Sequence, residues 1–308
     1  MATDLPSLLV DIKPGIIDLG WGHPSPRLHP FDEVKEASLK MFQKGDNSPL
    51  QYGATQGFGP FLESLATFLS RQDAYLSNVD PHNLFLTAGA SQGLDLAATL
   101  YADSGDTVLV EEPTYFVIEK IFIEHSLNIV GIPTDENGID TIALQDLLKN
   151  GLRPKFLYTI PTFQNPTGSS IDETRRKHLV DLANEYDFQI FADEVYQLIG
   201  FDKDTSIPMM SFDYGDKVIS FGSFSKILAP GLRTGWIHSS KKVIDKFSDA
   251  ALTFSGGGFN HYASALIREV IDLGYLDSNV LNLKKEYLSR AVQTDKSLSE
   301  YFGGIVSY

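Results

Sequence analysis

Residues 220–236, SFGSFSKILAPGLRTGW, place Lys226 just after Ser223 and Ser225 and bring Arg233 seven residues later, among glycines. The rest of the run is too apolar to be a solvated charged face. A lysine amine held out of water gives up its proton more readily and becomes a nucleophile or a base. An arginine guanidinium presents a fixed fork of donors that suits phosphate or carboxylate. Ser223-Phe224-Ser225-Lys226 also spells S-x-x-K, the serine-acylase pattern, but its companions S-D-N and K-T-G are absent from the sequence.

Other reactive types recur at regular points along the chain. Gly89-Ala90-Ser91-Gln92-Gly93 matches G-x-S-x-G, in which Ser91 would be a hydrolase nucleophile. The same small residues would also let a phosphate approach the N–H groups of a helix start, or merely let a helix pack closely. Tyr115 follows the run TVLVEEP and could stack on a planar ring or fill the core. Asn165 precedes a proline in FQNPTG, which keeps its backbone out of the helical region and lets its amide project from a turn. Asp193 in ADEVY closes an apolar run, where an acid is costly unless a cation or several donors meet it. Capping the next segment is the plainer role for it.

These residues need elements to hold them. NLFLTAG, TVLVEEP, NIVGIPT, KFLYTIP, QIFADE and KVISFGS read as buried strands. SQGLDLAATLYA, YFVIEKIFIEHS, TIALQDLLKN and DETRRKHLVDLANEYD read as helices between them. In the last, Leu179, Leu182 and Ala183 share one face, and the charged residues are expected to cover the other. Such alternation predicts an α/β fold whose largely parallel sheet is covered on both sides. Ligands of such sheets sit beyond the carboxyl ends of the strands, which is where every candidate above lies.

Bulk composition narrows the function classes. The 308 residues are 43% hydrophobic and 21% charged, enough apolar material for a large core. A net charge of −15 argues against a nucleic-acid partner, since phosphate backbones call for clustered Lys and Arg. No apolar run of membrane-spanning length and no secretory signal is evident. There is no cysteine, hence no disulfide frame and no thiolate site, and a cytoplasmic location fits. The seven histidines are scattered singly, so no metal site is expected.

QNPTG (164–168), ADEVY (192–196) and SFSKILAPGLRTGW (223–236), in that order, carry a resemblance. From about Asp18 to about Tyr308 the sequence resembles the fold-type I pyridoxal-phosphate enzymes, and within them the class I/II aminotransferases. The resemblance implies a large domain with a mostly parallel seven-stranded sheet covered by helices, and a second, small α+β domain. It divides the chain into an N-terminal arm (1–35), a cofactor domain (36–245), and a connecting helix with the start of the small domain (246–308).

The cofactor implied is pyridoxal 5′-phosphate, and the activity is transfer of an amino group from an α-amino acid to a 2-oxo acid. On this resemblance Lys226 bonds covalently to the cofactor aldehyde and then serves as the base. Arg233, Ser223 and Ser225 hold the phosphate, with the helix-start amides of Ala90, Ser91 and Gln92. Asp193 pairs with the pyridine nitrogen, Asn165 and Tyr196 donate to the ring oxygen, and Tyr115 stacks on the ring. Tyr52, in LQYGATQGFGPFLESLATFL, would reach the phosphate of a neighbouring subunit, which implies a homodimer with shared sites. Gly20, Trp21 and Gly22, in DLGWGHPSP, together with Asn165, would line the substrate pocket. A hydrolase built on Ser91 leaves Lys226, Arg233, Asn165 and Asp193 without a joint explanation.

The sequence departs from the family at its end. Family members continue for roughly a hundred further residues, a small-domain length, and that part carries the arginine for the substrate α-carboxylate. Arg268 and Arg290 fall too early, in helical patterns, so the small domain is expected to be incomplete at the C-terminus. The same cofactor site would also serve a β-eliminating lyase or a decarboxylase. A non-catalytic cofactor-binding sensor is the alternative of another class, disfavoured because no helix-turn-helix precedes Asp18 and the chain is acidic. Relatives with this pattern handle aromatic or long acidic amino acids such as 2-aminoadipate.

Overall fold

The computed structural model describes residues 7–10, 12, 15–18, 20, 22–201 and 206–305. Eight strands form one sheet: β1 Leu84–Thr87, β2 Thr107–Glu112, β3 Asn128–Asp135, β4 Gly138–Ile139, β5 Phe156–Thr159, β6 Gln189–Asp193, β7 Val218–Ser223 and β8 Gly235–His238. Their spatial order is β1-β8-β7-β6-β5-β2-β3-β4. From β7 across to β3 the strands run parallel, while β8 lies antiparallel to both β7 and β1. The sheet therefore has one strand more than the seven expected, because β4 adds a two-residue antiparallel return on the edge of β3.

Side chains alternate faces along each strand, and this sorts them into two cores. Phe156, Tyr158, Phe191 and Phe221 pack with Phe85, Leu94, Phe122 and Phe247 on one face. Leu157, Ile190, Ala192 and Val218 pack with Leu179, Val180, Leu182 and Ala183 on the other. Phe156 and Phe191 stack with ring centroids 4.1 Å apart, which locks β5 to β6 beneath the site. Burial of each such ring contributes about 2 kcal/mol. β3 was expected to be buried but is mostly half-buried or exposed, because only the short β4 covers its edge.

The four expected helices form at Ala90–Tyr101, Phe116–Glu124, Thr141–Lys149 and Glu173–Tyr186. Asp140 and Asp172 cap the last two through their carboxylates. One expectation fails in the last helix. Arg176 does not join the solvated face but lies buried, donating to the carbonyls of Ile171, Pro161 and Ile207 and to Thr162 Oγ1. A long side chain can reach back across the first turn to carbonyls that the strand-end loop leaves open.

A third core joins distant parts of the chain. Helices Phe31–Gln43, Gly59–Ser70 and His261–Asp272, with the start of Tyr275–Phe302, bury Ala37, Met41, Phe61, Leu65, Ile267, Val270 and Val280 together. The divisions expected at 35/36 and 245/246 fall inside helices Phe31–Gln43 and Lys241–Ser248. Among the described residues, no helix is long and apolar enough to cross a membrane.

Candidate active site

The run 220–236 is not one loop. Its first residues complete β7 and its last begin β8, paired Gly222↔Trp236 and Ser223↔Gly235. Gly222 has to be glycine, since a Cβ there would lie 2.0 Å from the Trp236 ring. The connection between the two strands carries Lys226 and Arg233 out at the carboxyl end of β7. Arg233 ends a 3-10 turn, Pro230–Leu232, with φ +46 in the left-handed region. That costly conformation is held by Asn260, whose Nδ2 donates to the carbonyl oxygens of Leu232 and Arg233 and to Thr234 Oγ1.

Lys226 is half-buried. Burial pushes its amine below the usual lysine range, opposed by the charge of Asp193. Its Nζ lies 5.7 Å from the centre of the Tyr196 ring and donates to the Gly22 carbonyl at 3.1 Å. Asp193 ends β6 and is 6% exposed. Its Oδ2 accepts from Tyr158 Oη at 2.8 Å, while Oδ1 has no hydrogen-bond partner among the described residues. Burial pushes the carboxyl up to about 6, against the pull of the Tyr158 hydroxyl, the Val195 N–H and the Lys226 ammonium.

Asn165 lies in the turn after β5 and its side chain hydrogen-bonds Tyr196. The Asn165–Pro166 peptide is cis. Tyr115 is half-buried beside the same carboxylate, and burial raises its phenol together with the charge of Asp193. Ser223 Oγ and Ser225 Oγ are 3.0 Å apart, and Ser225 N donates to Ser223 Oγ. Across from them, Gly89 adopts φ +92 immediately before the helix that Ala90 begins. A Cβ on Gly89 would sit 3.0 Å from Arg233 Nη2, so the helix start and the guanidinium share one cradle.

The structure thus brings Lys226, Asp193, Tyr196 and Asn165 together, and sets Arg233 against the turn before Ala90 and Ser91. Several expectations are modified. Gln92 turns its amide oxygen back onto Ala88 N at 3.0 Å and so serves its own helix start. Ser91 is the second residue of the helix rather than the apex of a turn, which is not the strained elbow a hydrolase nucleophile requires. Tyr52 is 89% exposed and far from contributing to this chain's own site. Gly22 reaches Lys226 through its carbonyl, Gly20 bonds Asp18 Oδ1, and Trp21 lies outside the described residues.

Sequence reasoning missed Tyr158, Asn260 and Glu111. Tyr158 was hidden in a run read as apolar strand, and Asn260 gave no local signal. Glu111 closes a buried strand as Asp193 does, and the same cost argument would have found it.

The buried, half-partnered Asp193 beside a desolvated lysine and a phosphate-sized cradle of N–H and guanidinium donors fits pyridoxal phosphate. A protonated ring nitrogen would satisfy the open Oδ1. A model of the family "Aminotransferase class I and II" matches residues 14–305. The aromatic-amino-acid aminotransferase 1 of Thermococcus litoralis is 35% identical over 93% of this chain and 69% of its own length. The 2-aminoadipate transaminase of Thermus thermophilus is 32% identical over 77% of this chain and 58% of its own length. The kynurenine aminotransferase of Pyrococcus horikoshii, solved in complex with PMP, superposes with a TM-score of 0.84 at 32% identity, covering 91% of this chain and 70% of that one.

Proposed function

The chain belongs to the class I and II aminotransferases, enzymes dependent on pyridoxal phosphate, and from that premise we propose how its residues divide the work and which substrates they serve. Bound pyridoxal phosphate supplies an aldehyde for attachment and an electron sink that makes the Cα–H of an amino acid acidic. Lys226 would hold the cofactor covalently through Nζ and, once released as a free amine, would take the substrate Cα proton on that atom. Its burial favours the neutral form this task needs. Asp193 Oδ1 keeps the ring nitrogen protonated, and Tyr158 holds the carboxylate by its other oxygen.

Asn165 and Tyr196 donate to the ring oxygen, and Tyr115 covers the ring face. Ser223, Ser225, Arg233 and the N–H groups of Ala90 and Ser91 hold the phosphate. Gly22, with Gly20, Trp21 and Asn165, borders the substrate. The amino donors we propose are aromatic or long acidic amino acids, which accords with the names of the relatives. Residues 36–245 make up the cofactor domain, with 1–35 and 246–308 contributing to the second, small domain.

We also propose a homodimer in which Tyr52 reaches the phosphate of a second copy. Exposed Leu39, Phe42, Leu50, Tyr52, Leu252, Phe254 and Tyr262 support this. They are gathered by the Gly53↔Gly258 bridge and the Phe42–Tyr262 ring contact into one apolar face. A cytoplasmic location completes the reading and is checked by cell fractionation.

One observation carries the proposal: a buried carboxylate oxygen without a hydrogen-bond partner among the described residues, near a lysine that burial has made easier to deprotonate. The purified protein mixed with pyridoxal phosphate is expected to develop the absorbance of a lysine-linked cofactor, which then changes when an accepted amino acid is added. Lys226→Ala is expected to abolish that absorbance and to lower turnover by at least about a thousandfold. An unchanged spectrum in Lys226→Ala would overturn the assignment. A spectrum that never responds to any aromatic or acidic amino acid would overturn the substrate class.

A further inference from the structure

Glu111 ends the buried part of β2, is 1% exposed, and takes no part in the roles above. It accepts three hydrogen bonds from the neighbouring segment. Thr159 Oγ1 donates to Oε1 at 2.6 Å, while Ile160 N and Gln164 Nε2 both donate to Oε2 at 3.1 Å. Gln164 Nε2 also donates to the Pro113 carbonyl, and its Oε1 accepts from the N–H and hydroxyl of Thr167. Gln164 is therefore fixed at both ends of its amide, and the residue directly after it is Asn165. A buried acid with three donors is an expensive way to fasten a turn that carries ordinary packing.

We propose that Glu111 is a positioning residue that, through Gln164, sets where Asn165 presents its amide to the ring oxygen of the cofactor. This rests on the pyridoxal-phosphate reading above. A donor aimed at that oxygen stabilises its negative charge and so lowers the affinity of the neighbouring Lys226 nitrogen for a proton. Without the tether the turn loosens, the donor weakens, and Lys226 Nζ keeps its proton to higher pH. Asp193, Tyr158, Tyr115 and Tyr196 are the other titratable groups around this proton. Burial pushes the Glu111 carboxyl up to about 7, against its three donors, so its charge is easily lost while its acceptor role remains.

The test is a pH titration of the lysine-linked absorbance in the holoenzyme. Glu111→Leu removes both acceptor oxygens from Thr159 Oγ1, Ile160 N and Gln164 Nε2. Its midpoint is expected to rise by about one pH unit. A purely through-space effect has the opposite sign, since deleting a negative charge makes Lys226 easier to deprotonate. Gln164→Met changes no charge, cuts the same tether and is expected to give the same upward shift, which keeps the test valid if Glu111→Leu does not fold. Adding Asn165→Ala to either variant is expected to produce no further shift beyond Asn165→Ala alone. A lowered melting temperature with an unmoved midpoint in Gln164→Met would overturn the proposal, as would a downward shift. Failure of the unaltered protein to form any lysine-linked absorbance would instead overturn the cofactor reading, and this proposal with it.

Discussion

Two buried charges, Asp193 and Arg176, are finished differently. Arg176 spends its guanidinium on three carbonyls and a hydroxyl. Asp193 has one oxygen on Tyr158 and one on nothing among the described residues. Both are costly to bury, so each must return that cost in some form. Arg176 returns it within the fold, by satisfying backbone that the loop leaves open. Asp193 returns it only when a protonated partner arrives. Saturation of its hydrogen bonds therefore separates a structural ion from one that awaits a ligand.

Two variants sharpen that contrast. Arg176→Met strips donors from buried carbonyls and is expected to destabilise the chain by about 3 kcal/mol or more, read in urea unfolding. Folded Arg176→Met is still expected to acquire the lysine-linked absorbance; losing it would place Arg176 in the site. Asp193→Asn is expected to do the reverse, lowering turnover by about a hundredfold to a thousandfold while leaving the apo chain as stable or more so at pH 8. A large loss of apo stability in Asp193→Asn would erase the distinction.

The pH dependence follows from the same difference. Burial raises Asp193 from 3.8 to about 6 and Glu111 from 4.5 to about 7, so the folded apo chain binds protons that the unfolded chain has released. The stability these groups contribute is present below about pH 4 and is lost as pH rises through about 6 to 7. His238, held down to about 4 by burial, acts in the opposite sense over part of that window. The decisive measurement is therefore the difference between variants: the apo chain is expected to lose more stability than Asp193→Asn between pH 4.5 and 7.5. The smallest effect concerns Ser91→Ala, which keeps its backbone N–H and is expected to change turnover by no more than about threefold. Complete loss of activity there would revive the nucleophile reading.

Most of the site was legible because its parts are local. Most cofactor-site candidates follow a strand, and short apolar, β-branched runs located β1, β2, β5, β6 and β7 well enough to put Asn165, Asp193 and Lys226 on one edge. β8 was not legible, since GWIH opens on glycine at the end of the run that carries Lys226 and Arg233 and holds a single β-branched residue.

The order of motifs in the sequence determined the family, the sheet that carries the site and the identity of its lysine, aspartate and asparagine. Those properties depend on short-range patterning and on residue chemistry, which a linear string contains. Only the tertiary structure decided which polar groups are already satisfied. Arg176 is consumed by carbonyls of two loops, Asn260 holds the left-handed Arg233 from 27 residues away, and Glu111 fastens a turn 53 residues on. Hydrogen-bond partnership is a matter of ångströms between segments distant in sequence, and it is settled only when the sheet closes over its two cores.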